Sequence, residues 1–409
     1  MNQMAMMPSP PSGSVIFSGE RGEFRRLVMR GAFLELITVG FYRFWLATDV
    51  RRHLWLHTTV DDDAFEYTGR GRELLFGFLF ALAILMPVYL AYFLVGVEAE
   101  RAKAFASIPL VAFFYVFGQF AIYRARRYRL TRTVWRGVRF WMTGSGWAYA
   151  ARAALWALLM PLTLGLILPW REAALERYKM RHSHYGDLQG RFEGTGWQLF
   201  RRGWWIWLLA LGTLTLLLVI VPAAQWFPRW FPRSFPPVAK LLNFLWLLVP
   251  VAAPFLYGLF KAMEWRWWIS GIRFGDVRLE SKLSSGALIG LYWKVIGWNF
   301  LLVMLLAAYL MLCAAVVANM SGATFGQFFA QQIAAKSIPF LALAGVGYLV
   351  VVLTMNVVLR VYLLRDVWVR VLESTQVRGI QAAADVAAKG ELANALGEGF
   401  ADGLDVAGF

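Results

Sequence analysis

Long apolar runs alternate along this chain with short segments that are rich in basic and aromatic residues. An α-helix needs about 20 residues to cross a hydrocarbon core about 30 Å thick. Five apolar runs approach or exceed that length, and they cover residues 74–95, 108–123, 204–226, 241–260 and 288–317. Because lipid offers backbone groups no hydrogen-bond partners, we interpret these runs as membrane-spanning helices.

Two further apolar segments contain charged residues. Residues 340–364 are a sixth strong candidate for a spanning helix, although Asn356 and Arg360 lie in its second half. Residues 24–45 are interrupted by several arginines and by Glu35. This second pattern favours a helix that lies in the membrane interface, or a shallow re-entrant helix.

Five basic connectors separate the apolar segments, and they cover residues 51–69, 124–144, 176–196, 266–285 and 365–379. The opposite loops, 97–107 and 319–337, contain fewer positive charges. The positive-inside rule therefore predicts that all five connectors are cytoplasmic. This topology requires residues 148–170 to return to the side where they begin, or to break at Pro161 and Gly165 into a re-entrant pair.

Several connectors share a local pattern, in which Thr or His is followed by a turn and by alternating apolar and polar residues that end in Gly. Copies cover residues 57–69, 131–144 and 182–196. The alternation suggests β-hairpins, although each run is also short enough for irregular loop. The apolar segments repeat as well, because Gly40 and Trp45 have the same spacing as Gly165 and Trp170. We infer that the chain contains an internal repeat of apolar segments and connectors.

These patterns together predict an all-α polytopic transmembrane helical bundle, built from internal repeats, with short cytoplasmic β-hairpin-like connectors. The first 19 residues contain no Lys or Arg, so they do not form a cleavable secretory signal. The predicted segments are a disordered lead-in (1–19), a first membrane repeat unit (20–147), a second unit (148–286), a third, diverged unit (287–380) and a C-terminal cytoplasmic tail (381–409).

Composition supports the membrane class. The chain is 59% hydrophobic and 16% charged, whereas soluble domains contain roughly 45–50% apolar and about 25% charged residues. The formal net charge of +16 would suggest nucleic acid in a soluble protein. Here the basic residues lie between membrane segments, so we expect no nucleic-acid partner and expect membrane lipids instead.

Recognisable catalytic motifs are absent from the sequence. It has no P-loop, no GxSxG, no HExxH and no dinucleotide-binding fingerprint, so we predict that the protein is not an enzyme and needs no cofactor. Its single cysteine, Cys313, cannot form an intramolecular disulfide. We interpret the aspartates at 61–63 as turn residues.

The four histidines are candidate metal ligands. His53 and His57 have the i, i+4 spacing that can chelate a metal from one helix face. His57 and His182 occupy matching positions in two repeats, and His184 lies two residues farther on. Because no cysteine or HExxH motif accompanies them, we predict no metal site and no catalytic residue.

Polar residues within the apolar runs are the remaining site candidates, since a polar side chain is expensive when it faces lipid. They are Gln119, Asn243, Lys294, Asn299, Asn356 and Arg360. These residues either line a hydrated path or have a structural role. In the structural role, which we favour, the amides fasten helices together and the cations extend to the interface.

At the level of motifs, the connectors resemble those of a known family. The similar segments are GFYRFW at 40–45, RRH at 51–53, FEYTG at 65–69, and the second connector from Tyr128 through Thr131-Arg132-Thr133 to Val138-Arg139-Phe140. This order is similar to that of the YjgN-like bacterial inner-membrane family. The resemblance implies a multi-pass inner-membrane protein and supplies no substrate, catalytic residue or cofactor. It also suggests a membrane-linked metallopeptidase as a partner.

Two functions therefore remain open. We expect a transporter, channel or lipid-handling protein of the bacterial inner (cytoplasmic) membrane, with a path between repeated helical units. The alternative is a non-transporting membrane scaffold or accessory subunit, possibly of a membrane-linked metallopeptidase. A polar cavity at mid-membrane depth would favour transport, whereas a tightly packed interior would favour the scaffold.

Overall fold

The computed structural model describes residues 12–98, 103–215, 249–322, 324, 326–327 and 337–403. Within these residues ten antiparallel strands form a closed barrel with the order β1-β10-β9-β8-β7-β6-β5-β4-β3-β2. The strands are β1 (Ser12–Phe17), β2 (Thr58–Val60), β3 (Asp63–Tyr67), β4 (Thr133–Trp135), β5 (Val138–Met142), β6 (Ser183–Tyr185), β7 (Leu188–Phe192), β8 (Ile272–Phe274), β9 (Val277–Ser281) and β10 (Thr375–Arg378).

The predicted fold class, an all-α bundle with separate hairpin-like connectors, is therefore wrong. Hairpins from successive connectors pair edge to edge, for example Phe65 opposite Trp135 and Phe140 opposite Tyr185. A lone short hairpin would leave two unpaired edges, and closure of the barrel removes all of them. The connectors are thus one shared domain.

Helices precede every hairpin. They are α1 (Arg21–Ile37), α2 (Arg43–Leu56), α3 (Gly71–Glu98), α4 (Lys103–Thr131), α5 (Gly146–Leu162), α6 (Leu168–Arg181), α7 (Gly196–Thr215), α8 (Val249–Gly271), α9 (Ile289–Met320), α10 (Ile338–Leu359), α11 (Val367–Glu373) and α12 (Leu396–Gly403). A π-helical turn (Arg360–Asp366) joins α10 to α11, and a 3-10 turn (Ile380–Ala383) follows β10. In the described part of the chain, α1 to α10 form five consecutive pairs. Each pair, together with the strands that follow it, is one structural unit, and these units are shorter than the membrane units predicted from the sequence.

Two of the pairs, α1–α2 and α5–α6, are short. Their turns use the same backbone conformation, with positive φ at Val39 and Gly40 and again at Leu164 and Gly165. The chain thus breaks after Pro161, as one of the two predicted alternatives required. Among the described residues, four helices are long and apolar enough to cross a membrane: Gly71–Leu94, Ile108–Thr131, Ile289–Met320 and Ile338–Glu373.

A hydroxyl at the first residue of a hairpin marks the change from helix to strand. In four units it donates a hydrogen bond to the carbonyl four residues earlier, over 2.7–3.0 Å. The donors are Thr58, Thr133, Ser183 and Thr375. The bond satisfies a terminal helix carbonyl that has no partner within the helix. It therefore fixes the start of each of these four strands relative to the helix before it.

The barrel interior is apolar. Val15, Val60, Trp135 and Val377 pack there in one cluster, around a cavity of about 270 Å³. The 3-10 turn after β10 contributes Ile380 and Ala383 to the same cluster and so covers one end of the barrel.

The first and last described segments of the chain, β1 and α12, belong to this architecture. We expected a disordered lead-in over residues 1–19, but β1 pairs with both β2 and β10 and closes the barrel; residues 1–11 lie outside the described residues. We expected a cytoplasmic tail after residue 380, but α12 packs against α3 and α4 through Phe400 and Ala401.

Candidate functional site

A groove of about 560 Å³ lies between α1 and α10. Most of its wall is apolar, and it includes Met29, Ala32, Phe33, Leu36, Leu353, Val357, Val358 and Val361. Trp298 from α9 and Tyr362 from the π-helical turn complete the wall. An apolar molecule can therefore lie along the face that α1 turns towards α10.

Positive charge is confined to one end of the groove, where Arg21 and Arg25 line it. The Arg21 guanidinium lies 4.8 Å above the Tyr362 ring and 2.8 Å from a carboxylate oxygen of Asp366. Arg25 is exposed and forms no ion pair with any residue that the structure describes. The groove thus offers an anion one free guanidinium beside an apolar channel.

The opposite face of α1 packs against α2, so α2 does not cover the groove. Phe24 and Val28 are fully buried and pack against Leu46 and Leu54 of α2. Gly31 permits this approach, because a Cβ there would lie 2.2 Å from a Leu46 methyl carbon. One face of α1 is therefore tied to α2, and the face with Arg25 is left to the groove.

A charge pair fixes the second wall. Arg360 lies 3.4 Å from a carboxylate oxygen of Glu35, and this pair joins the end of α10 to α1. Fifteen residues separate Arg21 from Leu36, so at 1.5 Å per residue the groove follows about 22 Å of helix. Half the thickness of a hydrocarbon core is about 15 Å. The groove can thus accept a headgroup and an acyl chain.

A second charged cluster surrounds the helical mouth of the barrel. Glu176 lies 3.4 Å from Arg126 and also pairs with Lys179. Glu398 from α12 pairs with Arg51 and lies 3.7 Å from Arg129. The acids in this cluster already have cationic partners, so it holds helix ends together.

The pKa of Glu176 reflects this balance. Burial alone would raise the pKa of its carboxyl group, but Lys179 and Arg126 outweigh burial and hold the pKa below its usual value. Glu172, one turn earlier on α6, has the opposite shift: burial raises its pKa, although Arg171 and Lys179 lower it in part.

The polar residues predicted within the apolar runs are dispersed. Gln119 is half-buried on α4, whereas Lys294 and Asn299 are exposed on α9. Asn356 donates to the Val352 carbonyl of its own helix over 3.0 Å, and Arg360 pairs with Glu35. Asn243 lies outside the described residues.

The arginines of the groove were not among the predicted site residues. Their signal was nevertheless present, because Arg25, Met29, Ala32 and Leu36 have the spacing of one helix face. What the sequence did not indicate is the second wall, since α10 follows some 300 residues later in the chain.

The four histidines separate into two groups. His53 and His57 face each other with ring centroids 4.2 Å apart, next to Glu23. His182 lies against Tyr178, and His184 stacks on Trp141. The structure thus gives His57 and His182 different neighbours, although they match in the repeat.

Comparison with known proteins identifies a family. A family model described as a bacterial protein of unknown function, DUF898, matches residues 12–403. No curated protein and no solved structure matches the chain.

Proposed function

The chain belongs to the bacterial DUF898 family of unknown function, the YjgN-like family that its connectors resemble, and we propose that it binds and handles a membrane phospholipid. The observation that carries this proposal is the groove between α1 and α10, with arginines at one end and apolar residues along its length. A phosphate is the anion that suits a free guanidinium. The acyl chain takes the apolar length of the groove.

The orientation of the groove agrees with a lipid in a bilayer. Arg21 begins α1 directly after β1, so the arginines lie at the barrel end of the helix. The connectors that form the barrel are basic, and we therefore place the barrel on the cytoplasmic side of a bacterial inner membrane. The phosphate would then lie at the cytoplasmic interface and the acyl chain in the hydrocarbon core.

Lipid handling accounts for the described interior better than passage of an ion does. The barrel contains an apolar cluster. Among the intramembrane polar residues, Asn356 and Arg360 are bonded within the protein, and Lys294 and Asn299 are exposed. An ion that crossed the membrane between these helices would find few polar ligands among the described residues. A lipid needs only one polar end.

Arg25→Glu tests the proposal. Delipidated protein is titrated with phosphatidylglycerol and followed by native mass spectrometry. A charge-assisted hydrogen bond contributes roughly 1.5–3 kcal/mol, so we expect the variant to bind at least about tenfold more weakly. Arg26→Glu is the matched control, because Arg26 is equally exposed on α1 but does not line the groove. Equal losses in both variants, or none in either, would contradict the proposal.

A further inference from the structure

Glu23, His53 and His57 form a cluster on the far side of α1 from the groove. Each residue offers one ligand atom, and these three atoms all lie within 4.8 Å of one another. Glu23 comes from the first turn of α1, His53 from the last turn of α2, and His57 is the C-cap residue directly after α2. The i, i+4 histidine pair thus lies beside a third candidate ligand, Glu23, which is 30 residues before His53 in sequence.

Hydrogen bonding leaves ring nitrogens available in this cluster. His57 Nδ1 lies 2.8 Å from the His53 carbonyl oxygen. A carbonyl only accepts, so this nitrogen carries the proton and Nε2 keeps its lone pair. His53 is only 7% exposed, and its Nε2 has no hydrogen-bond partner. A buried polar atom without a partner is unfavourable unless a ligand satisfies it.

The second repeat unit shows what these three positions do elsewhere. Glu73 is the third residue of α3, as Glu23 is of α1. Tyr128 and Arg132 precede their hairpin by the same intervals as His53 and His57. Tyr128 donates to Glu73 over 2.8 Å, and Arg132 pairs with it over 2.8 Å. The repeat therefore brings these positions together, and in the second unit a fixed cation neutralises the acid.

The third unit lacks two of the three candidate ligands. Its equivalent residues are Ala148, Tyr178 and His182, so only the last histidine remains. His182 keeps the same bond from Nδ1 to the carbonyl four residues earlier, over 2.7 Å. The hydrogen bond from this histidine to the backbone thus occurs in both the first and the third unit. The combination of one carboxylate with two imidazoles occurs in the first unit.

The charged residues around this cluster do not oppose a bound cation, because the nearby arginine is already paired. Arg365 is the nearby cation that acts on His53, and it is occupied by Asp366 at 2.9 Å and by the Gly19 carbonyl at 2.7 Å.

Contrary to the prediction of no metal site from the sequence, which did not include Glu23, we propose that Glu23, His53 and His57 bind one first-row divalent transition-metal ion, with Zn²⁺ as the probe. Two imidazole nitrogens and one carboxylate oxygen are a ligand set that zinc uses, with a fourth position left for water. Tetrahedral ligands about 2.0–2.1 Å from zinc lie about 3.3 Å from one another. Binding would therefore draw the three atoms, which lie within 4.8 Å of one another, closer together. The ion would fasten the first turn of α1 to the end of α2.

The experiment measures zinc bound to full-length protein, purified in detergent without a histidine tag and stripped with EDTA. After Zn²⁺ is added and excess is removed, we expect about one equivalent in the wild type and a rise in its melting temperature. Glu23→Gln should weaken zinc binding at least about tenfold, and His57→Ala should abolish it. Because Glu23 is exposed, its variant should fold even where His57→Ala does not.

Two controls distinguish this site from zinc binding by other histidines and from the lipid groove. His182→Ala removes the matching histidine of the third unit and should keep the full equivalent of zinc. Arg25→Glu should also bind zinc normally, which separates this proposal from that of lipid binding. Absence of zinc from the wild type at micromolar Zn²⁺, or equal zinc in the wild type and Glu23→Gln, would overturn the site.

Discussion

Charged residues with partners from other helices hold the helix ends around the barrel mouth. Glu176 lies between Lys179 and Arg126, and its side chain is 9% exposed. Removing one partner of a buried ion pair costs roughly 3–5 kcal/mol, because the other charge stays buried alone. The sequence did not indicate this cluster, because Arg126 lies 50 residues before Glu176 and Arg51 lies 347 residues before Glu398.

The pKa of Glu176 makes its contribution dependent on pH. Its pKa is lower in the folded protein than the ordinary 4.5. The ionised carboxylate therefore stabilises the fold above about pH 4.5, and this stabilisation is lost as the pH falls through the folded pKa. Glu176→Gln should lower the melting temperature at pH 7 and make little difference at low pH.

Glu172→Gln is the matched variant for this measurement. Burial raises the pKa of Glu172, so its charge carries a cost in the folded state and its loss should be much better tolerated at pH 7. Melting curves between pH 3 and pH 7 compare the two variants. Equal destabilisation at pH 7, or a loss for Glu176→Gln that does not depend on pH, would refute this assignment.

Helix α12 is the element that the sequence predicted least well. It packs against α3 and α4, with Gly77 of α3 against the backbone of Ala395. Gly397 lies against Arg124 of α4, where an added Cβ would be 2.1 Å from the Arg124 Cβ. The short polar stretch before α12 concealed this packing, since it has the composition of a solvated tail.

Gly77→Ala tests the packing of α12. The added Cβ would lie 2.4 Å from the Ala395 carbonyl oxygen, so α12 must move. We expect a lower melting temperature and faster tryptic cleavage at Lys389. Gly118→Ala on α4 is the control, because its Cβ meets no atom within 4 Å. That variant should gain up to about 1 kcal/mol from helix propensity. Slow cleavage in both variants would contradict the packing of α12.

Strand segments were more predictable than their pairing. The alternation around residues 65–69 and 188–192 indicated extended backbone, and β3 and β7 lie there. A strand of three residues, such as β4, contains no information about its partner in the preceding connector. The all-α prediction failed at this step, because the long apolar runs outweighed ten short strands in the interpretation of the sequence.

The whole molecule consists, in its described part, of five helix pairs that share one barrel. Four pairs are followed by a hairpin of their own, and the fifth pair, α9–α10, leads into β10, which pairs with β1 from the other end of the chain. Internal repeats were recognised in the sequence, but not this closure. Because β1 also pairs with β2, it joins the first unit to the last.

The pairing of β1 with β10 closes the barrel, and an engineered disulfide tests this closure most directly. Ser14 lies opposite Gln376 in the register; paired Cα atoms lie about 4.5–5.5 Å apart, within the range of a disulfide. In a background of Cys313→Ala, the Ser14→Cys/Gln376→Cys protein should cross-link on mild oxidation in membranes. Ser14→Cys/Glu280→Cys, placed one strand farther away, should stay reduced. Free thiols in the first variant, or equal cross-linking in both, would contradict the closed barrel.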